Sequence, residues 1–547
     1  MKKDAMQNTG QQLVSFLEAN GVDRVFCVPG ESFLPVIDAL AGSKTIDTVT
    51  ARHESSAGFM ALADGRLSGR PGVFMVSRGP GATNASIAVH SAQQDGLPLI
   101  LFIGQVPRKN LGRNSFQEID YGKMFGDIAK WVVELVEPER LPEIMSRAFT
   151  VAMSGTPGPV VISLPEDVLE MQAPEVVARA SAHADSGVSP ASLATVEKML
   201  AGASRPLILA GGEFSSDESR EALRQFAEKH DIPVVLGFRR HGVFPFGHRL
   251  YAGDIGVTTG PKQVEAFEQS DLILALGTRL AEWTTLDYTF PKSPFPNQAL
   301  VHVCAEVSEI GKNFQPTVGI ACRGPEFVRA ALSFKATPLD DAREKWIYGM
   351  HSDAVRSGEW KKSSAADGVV FANVVNEISA QLPEANFVPD AGVSAALVYR
   401  YVPFGGKRKL YSTISGVMGY GVPGAVAIAL RQPEGAVICL VGDGGFMMTG
   451  NELAVAVERK LPVRIFLSNN RSLGTIRMHQ ERVFPGRSHA TDLSGPDFRA
   501  LAESFGCKGM VINDEADVER VVREALVADG PVLVEVKASL SVILPKP

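Results

Sequence analysis

Short apolar runs, most of them ending at glycine, alternate with amphipathic stretches along this chain of 547 residues. Over the first third of the chain, the pattern predicts strands at 24–28, 48–50, 72–77 and 98–104. It predicts helices at 11–20, from 32, at 57–67 and from 82. Strands that alternate with helices in this way are typical of a parallel sheet covered by helices on both faces.

The same alternation returns twice further along the chain. Further strands are predicted at 205–212, 232–237, 271–277 and 299–304, then near 387, and at 409–411, 437–441, 463–467 and 532–536. Two poorly periodic stretches, 174–190 and about 335–368, are predicted to connect these groups. We therefore predict the α/β fold class, with three doubly wound parallel-sheet domains at 1–180, 189–335 and 365–547.

Length and composition agree with a multidomain globular protein, because 547 residues are too many for a single core. The net charge of −7 comes without any basic run, so neither nucleic acid nor an anionic membrane is an expected partner. No stretch reaches the roughly eighteen uninterrupted apolar residues of a membrane helix, and residues 1–8 contain no apolar signal core. We therefore expect a cytoplasmic protein.

The cysteines point the same way. Their number is odd and their positions are scattered, which predicts reduced packing residues rather than disulfides or a zinc site. They are Cys27, Cys304, Cys322, Cys439 and Cys507.

The chemistry is concentrated at two strand ends in the last third of the chain. An apolar run ends in Gly442-Asp443-Gly444, and the next one ends in Asn469-Asn470. Because neighbouring parallel strands end at the same edge of a sheet, we expect Asp443 and Asn470 to lie close together. Carboxylate and amide oxygens are ligands that Mg²⁺ prefers, and Gly444 and Gly445 allow the backbone to approach an anion. The sequence predicts a cradle for a metal ion and a diphosphate.

Three local features are ambiguous when taken alone. Glu54 follows a strand at the start of a helix, where an acidic residue is ordinarily a partner of the helix dipole. Gly79-Pro80-Gly81 follows another strand, where it reads as a simple turn. Thr449 and Glu452 have the spacing of a capping box and predict a helix start there.

Together these strings resemble the thiamine-diphosphate enzymes of the acetolactate synthase, pyruvate oxidase and benzoylformate decarboxylase group. The signature of that group is Gly-Asp-Gly, about twenty-seven residues, and then Asn-Asn. The segments His53-Glu-Ser-Ser-Ala57, 70–84 and 414–425 also resemble it. The resemblance implies thiamine diphosphate as cofactor, with Mg²⁺ held by Asp443, Asn470 and the backbone carbonyl of Ser472.

The resemblance also implies roles around the cofactor. Glu54 would be the catalytic acid that bonds N1′ of the aminopyrimidine and favours its imino tautomer. Gln117 would lie near the thiazolium, and the loop from Gly79 to Asn84 would support the aminopyrimidine end. In the third block, the residues implied at the diphosphate and beneath the cofactor are Gly392, Ser394, Gly416, Met418, Gly444 and Gly445. A buried methionine such as Met418 is, on its own, more often core filler.

Family cofactors bridge the first block of one subunit and the third block of its partner, so the resemblance implies a homodimer or homotetramer. Acetolactate synthases also hold a structural FAD in the central block, and Gly211-Gly212, 277–279 and 306–310 fall at corresponding places. The chain departs from their pattern at 279–283 and 322–324. FAD, ADP or an empty central block all remain open.

The substrate pocket departs further from the synthases. Glu31 stands where they have glycine, Arg78 where a small hydroxyl residue is usual, and His479 where they have tryptophan. The favoured function is decarboxylation of a 2-oxo acid with carboligation to a second carbonyl substrate, with Glu31 and His479 as further catalytic candidates. The alternative is a decarboxylase or lyase that releases an aldehyde, since ionisable groups favour protonation of the intermediate. A non-catalytic scaffold is disfavoured, because Glu54, Asp443 and Asn470 are all present.

Overall fold

A computed structural model of the chain describes residues 6–174, 176–181, 186–256 and 259–544. Three six-stranded sheets lie within these residues, and every strand pair in them is parallel. The predicted class of three parallel-sheet α/β domains is therefore confirmed. The boundaries at 1–180, 189–335 and 365–547 stay a prediction.

The first block has the strand order β3-β2-β4-β5-β7-β6, with β1 and β8 paired antiparallel beside it. Its strands are β1 (Met6–Asn8), β2 (Arg24–Cys27), β3 (Asp47–Thr50), β4 (Gly72–Val76), β5 (Leu99–Gln105), β6 (Trp131–Glu134), β7 (Pro159–Pro165) and β8 (Gln172–Pro174). Its helices are α1 (Thr9–Ala19), α2 (Leu34–Gly42), α3 (Glu54–Ser68), α4 (Pro80–Asp95), α5 (Tyr121–Phe125), α6 (Leu141–Met153) and α7 (Glu166–Glu170).

The second block has the order β11-β10-β9-β12-β13-β14. Its strands are β9 (Pro206–Ala210), β10 (Val234–Leu236), β11 (Tyr251–Asp254), β12 (Leu272–Leu276), β13 (Ala299–Val303) and β14 (Val318–Ile320). Its helices are α8 (Pro190–Gly202), α9 (Asp217–His230), α10 (Pro261–Glu268), α11 (Gly324–Ala331) and α12 (Asp341–Ser357).

The third block has the order β16-β15-β17-β18-β20-β19. Its strands are β15 (Ala385–Pro389), β16 (Arg408–Leu410), β17 (Val437–Gly442), β18 (Val463–Asn469), β19 (Lys508–Ile512) and β20 (Val532–Lys537). Its helices are α13 (Phe371–Gln381), α14 (Val393–Tyr401), α15 (Gly421–Arg431), α16 (Asp443–Thr449), α17 (Leu453–Glu458), α18 (Gly474–Val483), α19 (Phe498–Ser504) and α20 (Val518–Leu526).

Burial on both faces explains why the strands read as continuous apolar runs. In β5, Leu99, Leu101 and Ile103 pack into the core shared with the third block, while Ile100 and Phe102 pack into a second core on the other face. Successive side chains of a strand point to opposite faces, so a sheet covered twice needs apolar residues at every position.

The prediction that 335–368 is only a connection is wrong in its middle part, where the structure has a helix. Helix α12 begins after Asp340, whose side chain accepts a hydrogen bond from the backbone N–H of Arg343. The helix buries Trp346 and Met350 in the core of the second block. Its many charged residues on the other face hid this apolar stripe. Residues 175 and 182–185 of the other predicted connection lie outside the described residues.

The predicted capping box of Thr449 and Glu452 is also wrong. Helix α16 begins earlier, at Asp443, directly after the strand, and Thr449 is its last residue. The Thr449 hydroxyl donates a hydrogen bond to the carbonyl of Gly419, and the side chain of Glu452 turns toward the first block instead of capping a helix. The two residues have the spacing of a capping box, but their side chains bond to distant segments instead of to the ends of a helix.

The first and third blocks share one continuous core. Helix α3 packs on α15, and the rings of Phe59 and Tyr420 meet edge to face at 6.0 Å. At the end of α15, the guanidinium of Arg431 forms ion pairs with Asp23 and Asp64 of the first block, at 2.6 and 2.8 Å. These contacts fix the two sheets relative to each other within one chain.

Two composition-based expectations can be compared with the structure. All five cysteines are free and buried, as expected of residues that pack in the core. Among the helices in the described ranges, none combines the length and apolar character needed to cross a membrane.

Candidate active site

Glu54 is the first residue of α3 and follows the carboxyl end of β3. Its Oε2 accepts a hydrogen bond of 2.9 Å from Nδ2 of Asn84, on α4. Its Oε1 lies close to Gly81, where an added Cβ would stand only 3.5 Å away. The structure therefore brings Glu54 and Asn84 together at one edge of the first sheet, next to the glycine-rich start of α4.

Gly79 and Gln117 meet at the same edge. A Cβ on Gly79, which has a φ of +52°, would lie 2.7 Å from the carbonyl oxygen of Gln117. The backbone N–H of Gly79 donates to the hydroxyl of Tyr121, at 3.1 Å. Gln117 itself has a φ of +62°. Such a conformation is costly for a non-glycine residue and is often found where a side chain is held for function.

Asp443 and Asn470 lie at adjacent strand ends of the third sheet. Strands β17 and β18 pair in parallel with Gly442 opposite Ser468, so the residues that follow emerge side by side. Asp443 is 5% exposed, and its carboxyl accepts a hydrogen bond from the backbone N–H of Gly444. Burial raises the pKa of Asp443 above its usual value. Asn470 Oδ1 accepts from the backbone N–H of Ser472, at 3.1 Å.

The oxygen atoms at these strand ends are suitable ligands for Mg²⁺. Within the described residues, no group of three or more His, Cys, Asp and Glu side chains is placed to hold a metal. A metal ion here would instead take one carboxylate oxygen from Asp443, one amide oxygen from Asn470 and a backbone carbonyl from Ser472. Mg²⁺ is commonly bound by few protein oxygens, with water and phosphate completing its octahedron.

Asp390 is a residue of this site to which sequence reasoning gave no role. It follows β15, is 1% exposed, and accepts backbone hydrogen bonds from Ala391, Gly419 and Gly421. Burial raises its pKa to about 6. A Cβ on Gly445 would lie 3.0 Å from its Oδ1. Asp390 therefore fixes the loop 414–420 against α16, although in sequence it is a single acid at a strand end.

Met418 is carried by this loop. Its Cε lies 3.7 Å from the position of a Cβ built on Gly444, so the side chain covers the start of α16. Gly416 has a φ of +67° in the same loop.

Gly392 and Ser394 follow the end of β15, and Gly392 approaches Thr475 of α18. Gly392 has a φ of +104°, and the backbone N–H of Val393 donates to Oγ1 of Thr475, at 3.1 Å. Ser394 is buried in the first turn of α14.

Of the three residues that depart from the family pattern, two lie in the first block and one lies in the third. Glu31 is exposed and follows Gly30, where an added Cβ would lie 2.6 Å from Cβ of Ser77, the neighbour of Arg78. Arg78 is largely buried and forms an ion pair of 2.9 Å with Glu166. His479 is exposed on α18 in the third block, within 3.0 Å of Arg482. Glu31 and Arg78 thus lie at one edge of the first sheet, whereas His479 does not.

The predicted site residues therefore form two groups. The first-block group is Glu31, Glu54, Gly79, Asn84 and Gln117, and the third-block group is Gly392, Ser394, Gly416, Met418, Asp443, Gly444, Gly445, Asn470, Ser472 and His479. Among the described residues, no hydrogen bond or ion pair joins a member of one group to a member of the other.

Glu452 connects the third block to the helix that begins with Glu54. It is fully buried, and its Oε1 accepts a hydrogen bond of 2.9 Å from the backbone N–H of Arg52, just before α3. Burial raises the pKa of Glu452 to about 7. No local sequence pattern indicates this contact, because the two residues are 400 positions apart.

Three family models match the chain and define its class. Residues 7–124 match the thiamine pyrophosphate enzyme N-terminal TPP binding domain, 193–331 its central domain, and 390–536 its C-terminal TPP binding domain. The chain belongs to the thiamine pyrophosphate enzymes, and the predicted family is confirmed.

Individual relatives narrow the family further. The chain is 33% identical over 538 residues to acetolactate synthase isozyme 1 large subunit of Escherichia coli (strain K12), covering 96% of this chain and 93% of that protein. It is 32% identical to acetolactate synthase of Mycobacterium bovis, covering 97% and 88%, and 32% identical to a probable acetolactate synthase large subunit of Methanococcus aeolicus, covering 96% and 91%. Within its class, the chain is a member of the acetolactate synthase family.

Glu452 leads to a prediction about pH. A carboxyl whose pKa is raised by folding binds its proton more tightly in the folded state, so stability falls as pH rises from the unfolded value of about 4.5 toward 7. We expect Glu452→Gln, which keeps the acceptor for Arg52, to remove about 2–3 kcal/mol of this pH dependence. Urea midpoints at pH 5 and pH 8 measure it, with the exposed Glu170→Gln as control. Equal pH dependence in Glu452→Gln and in the unsubstituted protein would contradict the assignment.

Proposed function

We propose that this protein uses thiamine diphosphate and Mg²⁺ to decarboxylate a 2-oxo acid and to join the remaining acyl unit to a second carbonyl compound. The observation that carries the proposal is the pairing, in one chain of this family, of a carboxyl at a helix start with a metal cradle at a strand end. Those residues are Glu54, Asp443 and Asn470. Release of an aldehyde, the alternative from the sequence, is not favoured, since the relatives above are named acetolactate synthases.

The third block would bind the diphosphate end. Asp443, Asn470 and the carbonyl of Ser472 would hold Mg²⁺, which would neutralise the charge of the diphosphate. The close packing around Gly444 and Gly445, and the loop fixed by Asp390, leave these ligands little freedom to move. Gly392, Ser394, Gly416 and Met418 would lie around the same end of the cofactor.

The first block would control the proton. Bound thiamine diphosphate supplies the carbon nucleophile and the electron sink for decarboxylation. Glu54 would hold a proton at N1′ of the aminopyrimidine, oriented by the amide of Asn84. Gln117, held in its unusual conformation against Gly79, would border the reacting end. Glu54 therefore sets the protonation state, while Asn84 keeps its carboxyl in place.

Glu31 supports a proposal about the acceptor. It is exposed at the same sheet edge, beside Arg78, whose charge is engaged by Glu166. A second 2-oxo acid is an anion and would be repelled by a carboxylate there. We propose that a neutral carbonyl compound is the better acceptor. His479 contributes to the site only if α18 faces it in the assembled protein.

We also propose that the protein is a homodimer or a homotetramer. Within the part of the chain that the structure describes, the two groups of site residues are not bonded to each other, and large apolar side chains are exposed next to them in the sequence or on the same helices. These are Phe116, Met447, Met448, Ile476, Val483 and Phe484. Such exposed apolar side chains are typical of surfaces that bind another protein. A cytoplasmic location is likewise proposed, supported by the free cysteines.

The metal assignment predicts that thiamine diphosphate binds only with a divalent cation. We expect Asp443→Ala and Asn470→Ala to abolish this binding, because each removes one of few protein ligands of Mg²⁺. Isothermal calorimetry with thiamine diphosphate and Mg²⁺ measures it, and the exposed amide variant Asn451→Ala should bind normally. Unchanged affinity in Asp443→Ala would refute the metal site.

The proposed role of Glu54 predicts that its replacement slows proton exchange on thiamine diphosphate without preventing the cofactor from binding. Glu54→Gln keeps the shape and the contact with Asn84 but removes the acid, so thiamine diphosphate should still bind. Exchange of its C2 proton for deuterium should slow by about 10²–10⁴-fold, the usual contribution of such a group. Quenched-flow NMR measures the exchange, with Glu170→Gln as control. Exchange at the unsubstituted rate would make Glu54 a helix-start residue only.

The role of Glu31 predicts the product distribution. With pyruvate alone, acetolactate formation should be slow, and addition of a neutral aldehyde should increase carboligation. Removal of a like charge at about 4 Å is worth roughly 1 kcal/mol in water, so Glu31→Gln should speed pyruvate condensation about fivefold. Chromatography of the products measures both. Rapid acetolactate formation that Glu31→Gln leaves unchanged would overturn the acceptor proposal.

A further inference from the structure

The segment 412–414 leads from β16 into the loop that carries Met418. Three polar backbone groups in succession along this segment are bound by side chains of the other two blocks. They are the carbonyl of Ser412, the carbonyl of Thr413 and the N–H of Ile414, bound by Arg66, Arg239 and Asp95 in that order. Asp390 binds the backbone at the far end of the loop, so the loop is held at both ends.

Asp95 makes the most contacts in this group. The N–H of Ile414 donates to both of its carboxylate oxygens, at 3.1 Å each, and Nη2 of Arg66 donates to Oδ1 at 2.6 Å. The side chain of Asp95 is fully buried, and the residue is the last of α4, where the negative end of the helix dipole disfavours a carboxylate. A buried acid in this place needs donors from other segments, and Arg66 and Ile414 supply them.

Arg66 lies in the last turn of α3 and joins the first block to the third. Its Nη2 donates to Asp95, and its Nη1 donates to the carbonyl of Ser412. Helix α3 begins with Glu54, a helical rise of about 18 Å from Arg66, and α4 carries Asn84 near its start. The two helices that present Glu54 and Asn84 at one end therefore bind the segment before the Met418 loop at the other.

Arg239 reaches the same segment from the central block. Its Nη1 donates to the carbonyl of Thr413 at 2.6 Å, and a Cβ on Gly416 would lie 3.8 Å from its Nη2. Its guanidinium lies over the rings of Phe238 and Tyr399, at 4.8 and 5.4 Å, and its φ is +55°. A side chain with a costly backbone conformation and two ring contacts is held in one place.

The segment depends on these polar contacts because one side of it faces a cavity. Ile414 and Ser415 line a cavity of about 1180 Å³ where the three blocks meet, and Arg66, Asp95 and Arg239 line it as well. Atoms that face a cavity have no partners for van der Waals contact on that side. The position of the backbone there is therefore set by hydrogen bonds.

We propose that Asp95, Arg66 and Arg239 are positioning residues for the reaction. By holding the segment 412–414 they fix the position of Met418, which would lie beneath the cofactor. This inference rests on the proposed use of thiamine diphosphate. The three side chains do not touch the metal ligands, so their loss should disturb the orientation of the cofactor and not the binding of its diphosphate.

The first test measures the loop in the full-length protein without cofactor. In Asp95→Asn, the amide keeps one acceptor oxygen for the N–H of Ile414 but loses the charge that pairs with Arg66. We expect faster hydrogen–deuterium exchange of the backbone N–H groups in 412–420, measured by mass spectrometry. Asp127→Asn, at an exposed position after α5, should exchange as the unsubstituted protein does. Unchanged exchange in Asp95→Asn would show that Asp95 does not hold the segment.

The second test measures the reaction. Asp95→Asn should bind thiamine diphosphate and Mg²⁺ with unchanged calorimetric affinity, while exchange of the C2 proton slows by about 10–100-fold, the usual cost of a misplaced reacting group. A role in folding alone would lower the melting temperature and leave C2 exchange in the saturated protein unchanged, which would overturn the proposal. Absence of cofactor binding in the unsubstituted protein would instead refute the proposed function, which the first test does not involve.

Further variants test whether the effect passes through the loop. Arg239→Lys can still donate to the carbonyl of Thr413, whereas Arg239→Met keeps a long side chain without a donor, so C2 exchange should slow much less in the lysine variant. Asp95→Asn should add little to the loss caused by Met418→Ala, because both changes act at the same step. Equal losses in the two Arg239 variants, or additive losses in the double variant, would contradict the proposal.

Discussion

The parallel register of the strands is the constraint on which the sites depend. Because β17 and β18 run side by side in the same direction, the residues after them must emerge at one edge, and Asp443 and Asn470 meet although 26 residues separate them. The same rule brings the ends of β3 and β4 to one edge of the first sheet and so places Glu54 near Asn84. The side chains need only suitable chemistry at strand ends, since the sheet supplies their proximity.

How much the sequence predicts depends on how local the cause is. The apolar strands and the class of fold follow from burial on both faces, which leaves a direct trace in the pattern, as in β5. The motifs around Asp443 and Glu54 follow from strand ends. Helix α12 was missed because only a narrow apolar stripe of it is buried. Asp390 and Glu452 were missed because their partners are distant in sequence, and neither residue type nor spacing reveals such a partner.

Acidic side chains stabilise the arrangement of the site at several contacts between segments. Asp390 accepts hydrogen bonds only from backbone N–H groups and fixes a loop within the third block. Glu452 reaches from the third block to the backbone before α3, and Asp23 and Asp64 receive Arg431 at the far end of the same interface. Carboxyl groups therefore lie where two segments must keep a fixed relation, and Asp390, Asp23 and Asp64 each have several donors that offset desolvation, whereas Glu452 accepts from the backbone N–H of Arg52.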